Sequence, residues 1–403
     1  MSISRADGRW FLASVAFWMA PHGIQTVLLP YLMAIELRQS AGSFGITQMV
    51  SQAPLLIFLM LGGWVADRLD ARRLLTVLPA CAILMPLLLA TGLLQGWAGE
   101  GLILLYGAVW GLIAAFVMPA RDGLLKRVSG SNIQRMVALA MGTQFAAQMA
   151  GQVLAGRAAE WGVAGLLGVQ ALLLLIGVWT ARHLPAPPAK GARAPMDHAL
   201  WRELTGGWRL IAQTPVLRAT YVITIGMGVF FGGMFLVLMP LAVRDLYAGG
   251  AQDLSNTFIA FGLGTLTAIF GMMRRGGARR PGAVLVFSQF WGIAVLAPIA
   301  LGIPEWAFNL CIFCWGMGGG FAMTMSRTIM QEESPASHQA RVMAAFSIAT
   351  VGGSPLGALL MGAAASQWGV QGAMAVPVLG VLCTTTLSLW LHSITRLRSR
   401  SHA

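Results

Sequence analysis

The chain has 403 residues, of which 57% are hydrophobic and only 10% charged; its mean hydropathy is +0.72 and its formal net charge +13. A soluble domain carries roughly 25% charged residues, so 27 Lys and Arg with 14 Asp and Glu cannot coat a water-exposed surface of this length. The basic residues are spread along the chain rather than gathered in one patch, which argues for contact with an anionic lipid bilayer and against a nucleic-acid face.

A membrane span needs about 20 mainly apolar residues. Twelve such stretches follow one another at 10–35, 42–66, 74–96, 100–120, 135–157, 162–182, 217–242, 254–273, 282–302, 305–326, 341–365 and 370–392. Arg5 and Arg9 precede the first, but the apolar run is longer than the h-region of a signal peptide, so it is expected to stay as a span. The expected fold is therefore an all-α polytopic membrane protein with twelve transmembrane helices. With both termini in the cytoplasm, every Lys and Arg except Arg38, Arg157 and Arg244 falls on that side. This is the positive-inside bias, and it predicts a multi-pass protein of a cell inner membrane.

Between the sixth and seventh stretches lies the one long polar connection. Pro185, Pro187 and Pro188 open it, and Lys190, Arg193 and Arg202 follow, a composition that favours an extended linker. Leu200, Trp201, Leu204, Trp208 and Ile211 recur at helical spacing, predicting a short amphipathic helix on the cytoplasmic face. The organisation expected is a six-helix half over 1–183, a linker over 184–216 and a second six-helix half over 217–403.

The two halves repeat each other. Glu100, Trp110-Gly111, Arg121, Arg135, Gly151, Gly156 and Trp161-Gly162 recur about 206 positions later as Glu305, Trp315-Gly316, Arg327, Arg341, Gly357, Gly362 and Trp368-Gly369. More weakly, Gly23 with Leu29-Pro30 matches Gly233 with Met239-Pro240. A period of half the chain is too long for a solenoid unit. In a membrane chain it points to the internal repeats of a secondary transporter.

Between the second and third spans stands Gly63-Trp64-Val65-Ala66-Asp67-Arg68-Leu69-Asp70-Ala71-Arg72-Arg73. This segment resembles the signature loop of the major facilitator superfamily, in the place where that family carries it, and with the twelve spans and the repeat the resemblance covers essentially the whole chain. It implies two pseudo-symmetric six-helix halves moving about a central site, with Gly63, Asp67, Arg68, Arg72 and Arg73 in a cytoplasmic latch. Physically, a carboxylate where a span leaves the membrane can face the positive end of another helix. A contact made in one state alone biases the equilibrium between states. The span starting at Arg341 is the candidate partner, with Arg121 and Arg135 able to pair with Asp67. Equally, these charges can simply set topology and anchor the turns. The matching segment of the second half, from Gly271 to Arg280, lacks the acid, so the latch is expected on one side only. Ala66 to Arg73, the Pro119-Ala120-Arg121 end of the fourth span and the start of the fifth at Arg135 are similar to the siderophore and drug exporter branch. The Gly-Pro pair of the exporters' fifth span is missing; the proline stands instead at Pro355.

Polar residues inside spans face a cavity or a partner. Gln144, Gln148 and Gln152 fall at i, i+4 and i+8 and form one stripe; His22, Gln25 and Thr26 form a second; Asn309 lies in the tenth span. Each set can line a substrate cavity or hydrogen-bond between helices. All 14 acids lie near predicted interfaces, so no carboxylate is placed as a mid-membrane proton carrier. His22 has the right chemistry for a coupling proton, or else is only hydrogen-bonded. No buried Arg or Lys is evident, which favours export of a moderately hydrophobic small molecule; uptake of a neutral metabolite, flipping of a lysolipid and, more remotely, a non-transporting sensor are the alternatives. Lys126 and Lys190 are the only lysines, so no Walker A loop exists and no nucleotide is expected. No cofactor, metal cluster or catalytic constellation is evident, and the chain is expected not to be an enzyme. Cys81, Cys311, Cys314 and Cys383 all fall inside predicted spans.

Overall fold

A computed structural model describes residues 5–128, 133–185, 207–275, 278–335 and 338–397; the side chains at 5, 6, 60, 67, 126, 133–135 and 340 are outside that description. Among the described residues every regular element is helical. The order is α1 (Arg5–Pro30), α2 (Ala41–Arg68), α3 (Ala71–Ala82), α4 (Leu84–Gln95), α5 (Glu100–Val128), α6 (Ile133–Gly156) and α7 (Ala158–Ala181). After residues 207–213, here α8, come α9 (Pro215–Gly226), α10 (Met239–Asp245), α11 (Ala251–Arg274), α12 (Pro281–Leu296), α13 (Glu305–Glu332), α14 (Gln339–Ala373) and α15 (Ala375–Leu391).

Among the described residues ten stretches are long and apolar enough to cross a membrane; α3 with α4, and α9 with α10, each make one. The stretches expected as the fifth and twelfth spans are helical as well, as α6 and the shorter apolar α15. Side chains such as Leu94, Leu172, Leu175, Trp179, Leu301 and Trp390 stand exposed on the outside, a distribution that fits a lipid solvent. Of the amphipathic helix expected over 198–211, residues up to 206 lie outside the described set, and 207–213 is helical.

The helix ends follow local chemistry. Asp70 caps α3, its Oδ1 accepting the Arg72 backbone N–H at 2.8 Å, as a short acidic side chain does at a helix start. Gly96 closes α4 in the left-handed conformation that glycine adopts without strain. Pro215 and Pro281 open α9 and α12, where a missing N–H costs nothing. Pro30 is followed by a widened π-helical turn, Tyr31–Glu36, and two such turns, Met227–Phe231 and Met234–Leu238, precede Pro240. Pro240 leaves the Leu236 carbonyl without its helical donor, which eases widening of the turn that contains it.

The repeat acquires a backbone meaning. Gly162 (φ 71°, ψ 153°) and its counterpart Gly369 (φ 68°, ψ 173°) are both non-helical and kink the chain between consecutive spans. Arg38 and Ala248 sit after the first span of each half, and both have positive φ, 46° and 49°. They share the offset of the Gly23/Gly233 pair, although neither is a glycine.

The chain clusters into two compact units. The first comprises Met1–Gln39, Val50–Ala194 and Gly249–Asn256; the second comprises Ser40–Met49, Pro195–Ala248 and Thr257–Ala403. The first has a core of Phe11, Val15, Trp18, Trp110, Leu124 and Leu174. In the second, Ile223, Leu285, Met325, Ile329 and Ile394 form one core cluster.

Candidate functional site

In the first unit α1 crosses α6 at contact distance. A Cβ on Gly23 would overlap the Gln148 carbonyl, and one on Gly151 would overlap the Ala20 carbonyl. Small residues let spanning helices approach this closely. The crossing brings together the two polar stripes expected from the sequence, His22, Gln25 and Thr26 with Gln148 and Gln152. Gln25 and Gln152 are both buried, and the Oε1 of each has no hydrogen-bond partner. Gln152 offers its carbonyl to the Ser255 hydroxyl at 2.7 Å, and Thr26 donates to the His22 carbonyl.

His22 is not simply exposed to a cavity. Its Nδ1 accepts from Trp110 Nε1 at 3.1 Å, and Trp18 stacks on the same indole at 5.2 Å. Beside them, the buried Tyr106 hydroxyl donates to Gln170 Oε1 at 2.9 Å, and Gln170 Nε2 donates to the Pro21 carbonyl at 3.2 Å. Trp18, Tyr106 and Gln170 are members of this polar cluster that the sequence reading passed over. The detectable signal was Gln170, a carboxamide alone in an apolar run. Trp110 stands out in the sequence only as part of the repeat. Its counterpart Trp315 likewise packs on aromatic rings, Phe231 and Phe261, with no histidine among them.

The Tyr106–Gln170 pair can be tested by a double-mutant cycle. Gln170→Leu should cost about 1 kcal/mol, the scale of hydrogen bonds inside membranes. Adding Tyr106→Phe should restore part of it, because neither group is then left unpaired. Additive losses in denaturant-monitored unfolding would contradict the pairing.

Arg121 departs most from expectation. Expected to close a span at the cytoplasmic interface, it is 7% exposed. Its Nη2 donates to Gln144 Oε1 at 3.1 Å, while its Nη1 is buried without a partner. The absence of a buried cation inferred from sequence is thereby corrected: a long side chain near a helix end can fold inward as easily as it can snorkel outward, and sequence position does not distinguish the two. Gln144 is drawn to this arginine rather than left as one of three equivalent stripe members. Arg327, the repeat counterpart of Arg121, is exposed.

The signature segment is less a loop than two helix ends. Gly63 and Arg68 lie in the last turns of α2, Arg72 and Arg73 in the first turn of α3, and only Leu69 and Asp70 separate the helices. The Arg68 guanidinium sits 4.1 Å over the Trp64 ring. Asp67 is helical, but its side chain, like that of Arg135, lies outside the described set. In the second unit Arg341 opens α14 with its carbonyl against Gly207, and Asn309 accepts from Thr257 at 3.0 Å.

Among the described residues no cluster of three or more His, Cys, Asp or Glu is placed to hold a metal, and the four cysteines are free thiols.

The profile of the Major Facilitator Superfamily matches residues 11–358. The enterobactin exporter EntS of Shigella flexneri is 23% identical over 369 residues, covering 88% of this chain and 82% of the relative. EntS of Escherichia coli O81 (strain ED1a) is 23% identical over 376 residues, with 88% and 83% covered. Among solved structures, a mutant of the nucleoside transporter NupG superposes with a TM-score of 0.77 at 14% identity, over 95% of this chain and 99% of that one. A bacterial homolog of the human lysosomal transporter Spinster gives 0.71 at 12% identity, over 96% of each. At these identities the structural likeness establishes the fold; the family profile spans most of the sequence. This multi-pass helical membrane protein belongs to the Major Facilitator Superfamily, and is a transporter rather than an enzyme.

Proposed function

We propose that the chain is a secondary active exporter, moving a small, moderately hydrophobic molecule out of the cytoplasm across an inner membrane. The observation that carries the direction is the alignment with enterobactin exporters over 88% of the chain. The halves 1–183 and 217–403 alternate access to a site near the bilayer midplane, with both termini in the cytoplasm. Gln25, Gln148 and Gln152 offer uncharged hydrogen-bonding groups to the substrate, while Gly63, Asp67, Arg68, Arg72, Arg73, Arg135 and Arg341 serve as the cytoplasmic latch.

A proton gradient is the proposed driving force, with His22 as carrier. Its Nδ1 accepts from Trp110, so the proton it takes up must land on that atom. Protonation therefore exchanges the bond to Trp110 for a positive charge, and so couples the imidazole to an aromatic on α5.

The test is flux of an amphiphilic dye panel in inside-out vesicles, with and without an imposed pH gradient. Export predicts uptake into these vesicles. Asp67→Asn should reduce flux about fivefold, the equivalent of a helix-end charge worth about 1 kcal/mol. His22→Gln keeps an acceptor for Trp110 but takes no proton, so flux should lose its gradient dependence. Full gradient dependence in that variant removes His22 as carrier. Accumulation in right-side-out vesicles alone reverses the direction and makes the protein an uptake permease.

A further inference from the structure

The first unit has a small, partly open cavity of about 20 Å³ between α1, α3, α5 and α7, lined by Ser14, Trp18, Leu75, Pro79 and Gly177 together with Arg121. Apart from the Ser14 hydroxyl, which already donates to the Phe11 carbonyl at 2.7 Å, these other wall side chains are apolar. Arg121 is buried, with one nitrogen on the neutral Gln144 carboxamide and Nη1 on nothing. The ion pairs found among the described residues, Arg157–Glu160 and Arg244–Asp245, do not involve it, and the neighbouring Asp122 is exposed. A buried charge with no acid in contact among the described residues, only the field of exposed Asp122 nearby, stays costly unless something anionic completes it. A planar guanidinium with one N–H group left unpaired is suited to a carboxylate or phenolate oxygen. The space holds about one water-sized group, enough for an anionic oxygen but not for a whole molecule, and the Trp18 wall suits an aromatic or apolar body behind it.

We propose that Arg121 binds an anionic oxygen group of the transported molecule, so that the substrates of this protein are amphiphilic organic acids rather than neutral compounds. This rests on the reading of the chain as a small-molecule transporter and names its substrate class. It also gives the asymmetry of the repeat a purpose: Arg121 is buried for recognition, whereas its counterpart Arg327 faces outward.

The test is binding to the purified full-length protein, followed by tryptophan fluorescence and thermal shift, with benzoate and its neutral isostere benzamide as probes. Benzoate is expected to quench fluorescence and raise Tm, with at least about tenfold preference over benzamide, the scale of one charged hydrogen bond. Arg121→Gln should abolish that preference, and Arg121→Lys should retain it in part. Without ligand, Arg121→Gln should be no less stable than the wild type, because it removes an uncompensated charge; loss of stability would mark Arg121 as purely structural. Equal binding of benzoate and benzamide overturns the proposal. Chloride alone reproducing the full shift and blocking benzoate would also overturn it, in favour of an inorganic-anion site. Because these readouts involve no flux, they separate from the vesicle experiment: benzoate binding with uptake in the wrong direction would refute export and leave the anion site standing.

Discussion

Gly151→Ala should destabilise the protein by about 3 kcal/mol, and Gly23→Ala by a similar amount. In each case the new Cβ would overlap a backbone carbonyl of the facing helix, Ala20 for Gly151 and Gln148 for Gly23. No rotamer change relieves a clash between a Cβ and a main chain, so α1 and α6 must separate, and overpacking of this kind costs about 1–3 kcal/mol. The counterpart crossing in the second unit, where a Cβ on Gly357 would overlap the Val229 carbonyl, should respond in the same way. Gly63→Ala is the contrast. Nothing lies within 4 Å of its added Cβ, and alanine in a helix is about 1 kcal/mol better than glycine, so that variant should be slightly more stable. Denaturant-monitored unfolding in detergent reads all four. Equal stabilities for Gly63→Ala and Gly151→Ala would mean that the crossing is looser than described.

Gly162→Ala and Gly369→Ala should each cost about 2 kcal/mol. Here the cause is backbone conformation and not space, since no atom lies within 4 Å of either added Cβ. Both residues have φ near +70° with extended ψ, a region open to glycine and strained by about 1–3 kcal/mol for other residues. The kink lets one helix end and the next begin without a loop, and an alanine would favour a straight helix through it. A matching loss in both variants by thermal unfolding would establish that the Trp-Gly repeat is kept for chain reversal. Stability unchanged on Gly162→Ala would contradict this.

The polar stripes on α1 and α6 were legible because intramembrane carboxamides stand out in apolar sequence. Their neighbourhood was legible only in part. His22 could be placed on a helix but not against Trp110, because a donor 88 positions away leaves no local trace. Gln144, Gln148 and Gln152 looked equivalent at four-residue spacing, yet only Gln144 reaches Arg121. The signature segment is legible as a motif but not as two helix ends, since Asp and Arg are common in loops and helix ends alike. What the spelling omitted was that Asp70 caps the next helix and so shortens the break to two residues.

The amino-acid order alone determined the solvent and the helical class of this protein, and carries the internal repeat. Those properties rest on composition, on runs of apolar residues and on the recurrence of Trp, Gly and Arg, all local or periodic quantities. Tertiary structure decided which charge is buried, which indole the histidine accepts from, and that Arg38 and Ala248 share a left-handed conformation without a glycine between them. These depend on which helices meet and at what depth. Two chemically identical arginines, Arg121 and Arg327, hold equivalent places in the repeat and differ only in what packs around them.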